Sequence, residues 1–513
     1  MDMKCSKKFF IHWSSGAGVQ RLKLVRKTHS LCPECLSVIE ADLVEDNGQL
    51  LIKKTCDKHG DFEDVYWSNY EDYVRTMGWY AEGTKMANPR TKSERGCPYD
   101  CGICDKHKSQ TVLAIIDLTN RCNLNCPICF ASANNPSVPY FYEVTTAQAK
   151  AMIDNLASNA PVPPRALQFS GGEPTLRDDL PELIDYAGSK GFDHVEVNTN
   201  GLRLANDLDY FRKLMEADMS TLYLSFEGVT PKPYIANKGR DLLDIKLKVL
   251  ENSRVVGLDS IVLVPTVARG VNDDQLGDIV RFAVRNRDVV RCVNFQPVSF
   301  AGRIDAGERR RLRITIPEVL ELIERQTDGQ IKKQDFYTCP TVVPMARAIG
   351  GLKKKTYPEF SNHPACGLAT FVFVEDEEMI PITRYVDIDK FMHTMEKVAE
   401  AIGAGKKTKA RLNLLKSLQY VRFGILKDLL TDVLKDGSYE ALGNMMKKMV
   451  MVGIMAFMDL YNFDLERVEM CNIHYALPDG TIRPFCTYNA IHRSVVEAKY
   501  GTPKKRVTAI TTT

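Results

Sequence analysis

Cysteine is the residue type whose spacing in this sequence most clearly indicates chemistry. The motif CxxxCxxC occurs twice, first at Cys97, Cys101 and Cys104 and again at Cys122, Cys126 and Cys129. Three thiolates at this spacing can bind three irons of a 4Fe–4S cluster and leave the fourth iron open. An open iron can bind another molecule, so each motif is a candidate reactive metal site.

The total cysteine content favours metal binding over disulfide formation. The chain has 15 cysteines in 513 residues, and ten of them precede residue 130. A chain of this length buries a core large enough to fold without disulfides. An odd number of cysteines at CxxC and CxxxCxxC spacings is instead typical of a metalloprotein in a reducing compartment.

Composition and charge exclude several other classes of protein. The formal net charge is only +3, which predicts no nucleic-acid partner. The sequence has no apolar stretch of about 18 to 20 residues that could span a membrane. Its first residues lack the apolar run of a secretory signal. We therefore expect a cytoplasmic protein.

A second kind of metal site is indicated before residue 70. Two alternating segments flank the turn Asp-Asn-Gly at 46–48, which predicts a β-hairpin with potential ligands at its ends. The geometry of CxxC opposite CxxH suits tetrahedral Zn²⁺ or a rubredoxin-like iron. Cys5 is an alternative fourth ligand. The predicted ligands are Cys32, Cys35, Cys56 and His59.

From residue 111 onward, predicted strands and helices alternate. Six strand segments, from TVLAIIDLT to VVRCVNFQPVS, are separated by helical segments such as TTAQAKAMIDNLASN. This alternation predicts a parallel sheet with right-handed crossovers, short of a complete eight-stranded barrel. Cys122 follows the first strand, at the carboxyl end where α/β folds place their chemistry. The second CxxxCxxC motif is therefore the better candidate for the reactive site.

The second predicted strand ends in the sequence SGGEP at residues 170–174. Glycines let the backbone approach a ligand closely, and a carboxylate can accept hydrogen bonds from an ammonium group. Together with the cysteine motif and the βα alternation, this segment resembles the radical S-adenosylmethionine (SAM) superfamily. A zinc or electron-transfer site is the alternative interpretation of the three cysteines.

The resemblance implies an α/β fold with a partial (βα)6 barrel, in which SAM chelates the open iron of the Cys122 cluster. Gly172 and Glu173 would hold the SAM amine, and residues after the third and fourth strands would contact its methionine or ribose. The SAM-binding residues implied in this way are Gly171, Gly172, Glu173, Pro174, Asn200, Ser225 and Glu227.

Further cysteines indicate accessory metal sites. Cys97, Cys101 and Cys104 would hold an accessory cluster with His107 as a candidate fourth ligand, or a zinc ion. Cys292 lies in a strand pattern and is predicted to be a core residue. Four late cysteines in polar or turn-rich contexts either bind another 4Fe–4S cluster or are simply buried. These are Cys339, Cys366, Cys471 and Cys486.

Residues 393–460 have mostly helical character, so we predict that the C-terminal domain is mainly helical. Within it, the methionine-rich segment 445–458 would form a helical core or line a hydrophobic tunnel. The predicted ranges are 1–95 for the N-terminal rubredoxin- or zinc-ribbon-like module, 96–110 for the accessory cluster segment, 111–310 for the barrel, and 311–513 for the cluster- and lipid-binding domain.

The whole layout resembles the archaeal tetraether lipid synthase family. The motifs that carry this resemblance are LCPxC…CxxHGxF, GCPYDCGICxxHK, TNRCNLNCPICF, SGGEPT and YNFDLERVEMCNIHY…PDG…PFCTYN. The resemblance implies a carbon–carbon bond between the terminal methyl carbons of phytanyl chains of archaeal diether lipids, with two SAM consumed per bond. A lipid substrate would also imply peripheral contact with the inner face of the membrane. Basic runs such as 353–355 and 406–409 could bind anionic headgroups there, or they could be solvated surface.

Two alternatives remain open at this point. A radical SAM methylase of a pterin or another small molecule would carry similar metal sites, and a non-catalytic iron–sulfur carrier would leave the SGGEP segment without a role. If the chain is a radical SAM enzyme, whether a synthase or a methylase, its expected cofactors are about three 4Fe–4S clusters, SAM, and one mononuclear iron or zinc. They also imply a small-protein electron donor such as ferredoxin.

Overall fold

The computed structural model describes residues 23–375, 378–422 and 448–504. Its N-terminal part is a four-stranded antiparallel sheet in chain order, as the predicted hairpin requires. Asn47 and Gly48 have φ of 51° and 80°, the positive values that a tight Asn-Gly hairpin turn needs. The elements are β1 (Lys23–Leu31), β2 (Val38–Asp46), β3 (Gln49–Cys56), β4 (Gly60–Trp67) and α1 (Tyr70–Met77).

The predicted alternation of strands and helices is confirmed between residues 113 and 297. The elements in chain order are β5 (Leu113–Asp117), β6 (Tyr140–Phe141), α2 (Thr146–Ala157), β7 (Ala166–Ser170), α3 (Leu180–Ser189), β8 (His194–Thr199), α4 (Leu202–Asn206), α5 (Leu208–Glu216), β9 (Thr221–Ser225), α6 (Pro231–Lys238), α7 (Leu243–Val256), β10 (Ile261–Val264), β11 (Thr266–Val267), α8 (Leu276–Arg285) and β12 (Val290–Pro297).

Six of these strands pair in parallel in the order β5, β7, β8, β9, β10, β12. In β8 the buried residues Val195 and Val197 alternate with Glu196 and Asn198, which line the barrel interior. Successive side chains of a strand point to opposite faces, so the apolar set packs under the helices and the polar set faces inward. The partial (βα)6 barrel is thus confirmed.

The C-terminal part contains helices and also strands of the same sheet. Its elements are α9 (Arg309–Leu312), α10 (Ile316–Gln326), β13 (Tyr337–Thr338), α11 (Val343–Lys353), β14 (Gly367–Glu375), β15 (Glu378–Pro381), α12 (Ile388–Gly403), α13 (Lys407–Ser417), β16 (Val450–Met455), α14 (Leu465–Glu469), β17 (Ile473–Ala476), β18 (Ile482–Pro484), α15 (Phe485–Thr487), α16 (Arg493–Tyr500) and β19 (Thr502–Pro503).

Two C-terminal strands extend the barrel at its edges. β16 pairs in parallel with β12, and β17 pairs in parallel with β5, so eight parallel strands lie side by side in the described residues. The predicted helical character of 450–455 is wrong, since these residues form β16 between β12 and β14. A continuous apolar run suits a central strand buried on both faces. Residues 445–447 of the methionine-rich segment lie outside the described residues.

The helices of the described ranges include none that is long and apolar enough to cross a membrane.

A buried ion pair joins the N-terminal sheet to the C-terminal part. Asp464 is fully buried, and its carboxylate accepts hydrogen bonds at 2.7 Å from both Thr28 Oγ1 and Tyr66 Oη. Arg26 Nη2 lies 2.5 Å from Asp464 Oδ2. Burial alone would raise the pKa of Asp464, but the Arg26 guanidinium holds it well below its usual range. Each of the two buried charges is therefore stabilised by the other, and removing one would leave the other without its partner.

We predict that Asp464→Asn lowers the free energy of unfolding by about 3 kcal/mol, because it leaves the Arg26 charge buried without its main partner. Urea denaturation followed by circular dichroism measures the loss. The matched control is Glu63→Gln, which removes a carboxylate from a half-exposed pair with Lys53 and should cost less than about 1 kcal/mol. Equal losses in the two variants would contradict a structural role for Asp464.

Candidate functional site

A cavity of about 300 Å³ opens at the carboxyl ends of the barrel strands. The carboxyl ends of parallel strands meet at one edge of a sheet, which is where α/β folds bind ligands. Three groups of side chains line this cavity: the Cys122 motif, the ends of β7 to β9, and polar and aromatic residues from both the barrel and the C-terminal part.

Cys122, Cys126 and Cys129 all line the cavity on the loop after β5. The loop is held by Arg303, because Cys129 and Arg303 exchange backbone hydrogen bonds and Arg303 Nε donates to Cys126 O at 2.6 Å. Burial, aided by the charge of Glu173, raises the pKa of Cys122 to about 12. Iron would displace the proton, since only thiolates bind a metal. Three converging thiols beside open space fit a cluster with one open iron.

The glycines of the SGGEP segment pack against the cysteine loop. A Cβ on Gly171 would lie 2.4 Å from Thr119 O, and one on Gly172 would lie 2.1 Å from Arg121 O. Gly171 also has φ of 126°, which other residues rarely adopt. The two glycines are thus required because the backbone of this segment packs against the backbone of the cysteine loop. The sequence pattern predicts only that they let the backbone approach a ligand.

Glu173 links this segment to the loop after β8. Its carboxylate is 1% exposed and accepts hydrogen bonds from Thr175 N, Thr175 Oγ1 and Thr199 Oγ1 on one oxygen and from Asn200 N at 2.8 Å on the other. Burial raises the pKa of Glu173 despite these donors. Neighbouring residues thus already donate four hydrogen bonds to this carboxylate. The contact of Glu173 with the SAM amine stays a prediction.

Asn200 and Ser225 also line the cavity. Asn200 Nδ2 donates to Asn123 Oδ1 at 2.7 Å and lies 3.9 Å from Cys122 Sγ, so the loop after β8 touches the cysteine loop. Ser225 Oγ accepts a hydrogen bond from buried Lys246 at 3.2 Å. Both positions suit contact with a molecule bound at the cluster.

Glu227 and Pro174 do not line the cavity, although the resemblance implied SAM contacts for both. Instead, fully buried Glu227 Oε1 lies 2.9 Å from Lys238 Nζ, and Lys238 lines the cavity. Burial alone would lower the pKa of Lys238, but the charges of Glu227 and Cys126 raise it above its usual range. Lys238 is a cation that the sequence reasoning missed, because it lies in a helix outside every motif.

A polar floor, also missed, is formed by inward-facing residues of four barrel strands. Gln168 Nε2 donates to Glu196 Oε2 at 2.7 Å, and His194 Nε2 lies 2.9 Å from Glu196 Oε1. Tyr223 Oη accepts from two side-chain amides at 2.7 and 2.8 Å. The polar floor consists of Gln168, Glu196, Tyr223, Asn294 and Gln296, all lining the cavity.

An aromatic wall borders the same cavity. The rings of Phe457 and Phe485 stack with centroids 3.9 Å apart, and Phe130 packs edge-on at 5.7 Å from each. Tyr475 lies 5.4 Å from Phe485. The stacked and edge-to-face contacts pack these four rings against one another, and all four residues line the cavity.

Cys97, Cys101 and Cys104 line a separate small cavity together with His107. Burial raises the pKa of Cys101 to about 12. His107 Nε2 lies 2.7 Å from Cys471 O, and burial lowers the pKa of His107 to about 4. The three cysteines therefore line one small cavity, and their binding of an accessory metal stays a prediction. His107 is tied to the backbone at Cys471.

The four late cysteines converge although 147 residues separate Cys339 from Cys486 in the sequence. Burial is the main cause that raises the pKa of Cys339 to about 11 and the pKa of Cys486 to about 12, and the charge of nearby Cys366 adds to both shifts. Burial also raises the pKa of Cys471, and the charge of Cys486 adds to that shift. Arg467 Nε lies 3.4 Å from Cys366 Sγ, which puts a buried cation beside the group. Four thiols and a compensating charge suit a 4Fe–4S cluster.

The N-terminal ligands form a compact group. The ligand atoms of Cys32, Cys35, Cys56 and His59 all lie within 4.8 Å of one another. Cys35 Sγ and Cys56 Sγ are 3.9 Å apart, and His59 Nδ1 is 3.5 Å from the sulfurs of Cys32 and Cys56. Zn–S bonds of about 2.3 Å in a tetrahedron give sulfurs about 3.8 Å apart. Cys5 lies outside the described residues.

Cys292 is 5% exposed, as predicted for a core residue.

Comparison with known proteins identifies two parts of the chain. Residues 116–283 match the model of the Radical SAM superfamily, and residues 24–68 match that of the HMPTM N-terminal zinc ribbon domain. The chain is therefore a radical SAM enzyme, with a 4Fe–4S cluster and SAM as cofactors and a metal site in its N-terminal module. Enzymes of this superfamily need an electron donor.

Three relatives extend the comparison. The 7,8-dihydro-6-hydroxymethylpterin dimethyltransferase of Methanocaldococcus jannaschii is 48% identical over 93% of this chain and 96% of its own. The Fe-coproporphyrin III synthase of Methanosarcina barkeri is 37% identical over 29% and 36% of the two chains. The probable GTP 3′,8-cyclase of Methanothermobacter thermautotrophicus is 28% identical over 43% and 69%.

These findings correct the predicted function. The tetraether synthase assignment is wrong, since the relative that matches almost end to end is a pterin dimethyltransferase. The predicted diether lipid substrate and the contact with a membrane lose their support with it. The chain belongs to the family of radical SAM enzymes that includes the 7,8-dihydro-6-hydroxymethylpterin dimethyltransferase of Methanocaldococcus jannaschii.

Proposed function

We propose that this chain methylates 7,8-dihydro-6-hydroxymethylpterin, or a closely related pterin, by radical SAM chemistry. The observation that carries the proposal is the 48% identity to the dimethyltransferase across 93% of this chain. Such similarity spans the N-terminal metal module, the barrel and the C-terminal part, and so covers every group of residues around the cavity.

The chemistry of the cavity supports a flat, polar substrate. The aromatic wall offers a stacking surface, and the polar floor offers hydrogen-bonding groups. An alkyl chain would leave the donors and acceptors that the floor groups do not use among themselves without partners, and each such unsatisfied group costs about 1–3 kcal/mol. A pterin ring can satisfy them through its nitrogen and oxygen atoms.

In this proposal Cys122, Cys126 and Cys129 bind the SAM-cleaving cluster. When bound, the reduced cluster and SAM supply a 5′-deoxyadenosyl radical, which removes hydrogen from a C–H bond. Lys238 presents a cation that suits the SAM carboxylate, and Asn200 orders the cysteine loop from the neighbouring strand end.

The remaining metal sites belong to the same proposal. The Cys97 group and the four late cysteines each bind an accessory 4Fe–4S cluster, and the Cys32 group binds zinc. A small protein such as ferredoxin supplies electrons. The ranges 1–95, 96–110, 111–310 and 311–513 remain our proposed division, although residues after 311 add strands to the barrel sheet.

We predict that expressing the chain in a bacterium that makes 7,8-dihydro-6-hydroxymethylpterin produces pterins heavier by one or two CH₂ units. Mass spectrometry of the oxidised pterin pool detects them. The control is the triple variant C122A/C126A/C129A, which should produce none. Unchanged pterins in cells that contain iron-loaded protein would contradict the proposal.

A second prediction separates the two CxxxCxxC motifs. C122A/C126A/C129A should abolish 5′-deoxyadenosine formation from SAM under reducing conditions, because its cavity loses the iron ligands beside Lys238. C97A/C101A/C104A should retain some cleavage, since that group lines a different cavity. Liquid chromatography of the quenched reaction measures the product.

The matched control for the cysteine changes is Cys292→Ala, a buried cysteine outside every metal group, which should retain cleavage. Undiminished 5′-deoxyadenosine in the Cys122 triple variant would move the reaction to the Cys97 group.

A further inference from the structure

The polar floor contains a carboxylate that no described lysine or arginine neutralises. Glu196 pairs within the described residues with His194, at 2.9 Å. By contrast, two cations that face the cavity are compensated: Lys238 pairs with Glu227, and Arg493 pairs with Asp117 at 2.5 Å and with Glu497 at 3.1 Å. The other carboxylate that lines the cavity, Glu173, already accepts four hydrogen bonds. Among the described residues, Glu196 is therefore the cavity carboxylate that has neither a lysine or arginine partner nor a full set of hydrogen-bond donors.

Glu196 also has unused hydrogen-bonding capacity. An ionised carboxylate has about four acceptor positions. One oxygen accepts from Gln168 and the other contacts His194, which leaves about one position on each oxygen. Two adjacent positions on one carboxylate suit a ligand with two parallel N–H donors.

The neighbouring floor residues also present acceptors. Asn294 and Gln296 each direct a side-chain N–H to Tyr223 Oη, so their amide oxygens remain as acceptors. The Tyr223 hydroxyl accepts both bonds and keeps its own proton for donation. The floor thus offers the amide oxygens and the Glu196 carboxylate as acceptors, and the Tyr223 hydroxyl and the second N–H of each side-chain amide as donors. Glu196 is the one carboxylate of the polar floor, and it is the group that suits two adjacent N–H donors of a ligand.

We propose that Glu196 binds the pyrimidine edge of the pterin by accepting hydrogen bonds from its N3–H and 2-amino groups, and so selects for the 2-amino substituent. This inference rests on the proposed function. The pyrazine ring and its hydroxymethyl group lie on the opposite side of the molecule. Anchoring the pyrimidine edge at the floor therefore directs the carbons of the pyrazine side toward the strand ends, where the Cys122 loop lies.

The test compares two ligands and three forms of the iron-loaded protein with SAM. The ligands are 6-hydroxymethylpterin and 6-hydroxymethyllumazine, in which oxygen replaces the 2-amino group. The proteins are the wild type, Glu196→Gln, and Glu182→Gln, a control that makes the same change on an exposed surface. Ligand fluorescence measures the dissociation constants, and iron content and thermal melting verify folding.

The wild type and Glu182→Gln should bind the pterin about 10- to 100-fold more tightly than the lumazine, because the lumazine oxygen faces the carboxylate. In Glu196→Gln the ratio should fall to about one, because the amide can donate to that oxygen. A ratio in Glu196→Gln equal to that of the wild type would overturn the inference.

The wild type by itself is also decisive, even if Glu196→Gln fails to fold. Equal affinity of the wild type for the two ligands, in a protein that methylates pterins in cells, would overturn the role of Glu196 and leave the proposed function standing. A wild type that binds neither ligand and methylates no pterin would overturn both.

Discussion

Two glycines hold the cysteine loop against the end of the second barrel strand, and the geometry of the site depends on this contact. The backbone of Gly171 and Gly172 lies so close to Thr119 and Arg121 that no Cβ fits between them. Hydrogen bonds from Gly172 N to Thr119 O and from Glu173 N to Arg121 O lock the two loops together. Since the Glu173 carboxylate then binds Asn200 N, and Asn200 reaches the cysteine loop, three strand ends form a closed ring of contacts.

The electrostatics of the cavity follow from what is packed behind it. Buried Glu227 keeps Lys238 charged beside Cys126. Asp117 and Glu497 pair with Arg493, whose guanidinium also belongs to a residue lining the cavity. The site can therefore hold an anionic group near the cysteines, while the barrel floor presents the Glu196 carboxylate. This separation of charge gives a bound cofactor and a bound heterocycle different places in one cavity.

Local sequence patterns predicted much of the barrel, because the hydrophobic periods of strands and helices and the positions of glycine can each be recognised within a short segment. The two added parallel strands, β16 and β17, were not predicted, since their pairing with β12 and β5 joins residues far apart in sequence. The function was predicted wrongly because cysteine motifs report cofactors rather than substrates. The polar residues at alternating positions of the predicted strands, such as Gln168 and Glu196, were the available signal that the interior is not a lipid channel.

We expect a bound pterin to lie between the aromatic wall and the polar floor, with its reactive side toward the Cys122 loop. An anaerobic crystal structure of the protein with SAM and 6-hydroxymethylpterin would show where the pterin binds. The 2-amino and N3 edge of the pterin should lie within hydrogen-bonding distance of Glu196, and its pyrazine ring should lie nearest the SAM bound at the Cys122 loop. A pterin seated outside this cavity, or one with its pyrimidine edge toward Cys122, would contradict this expectation.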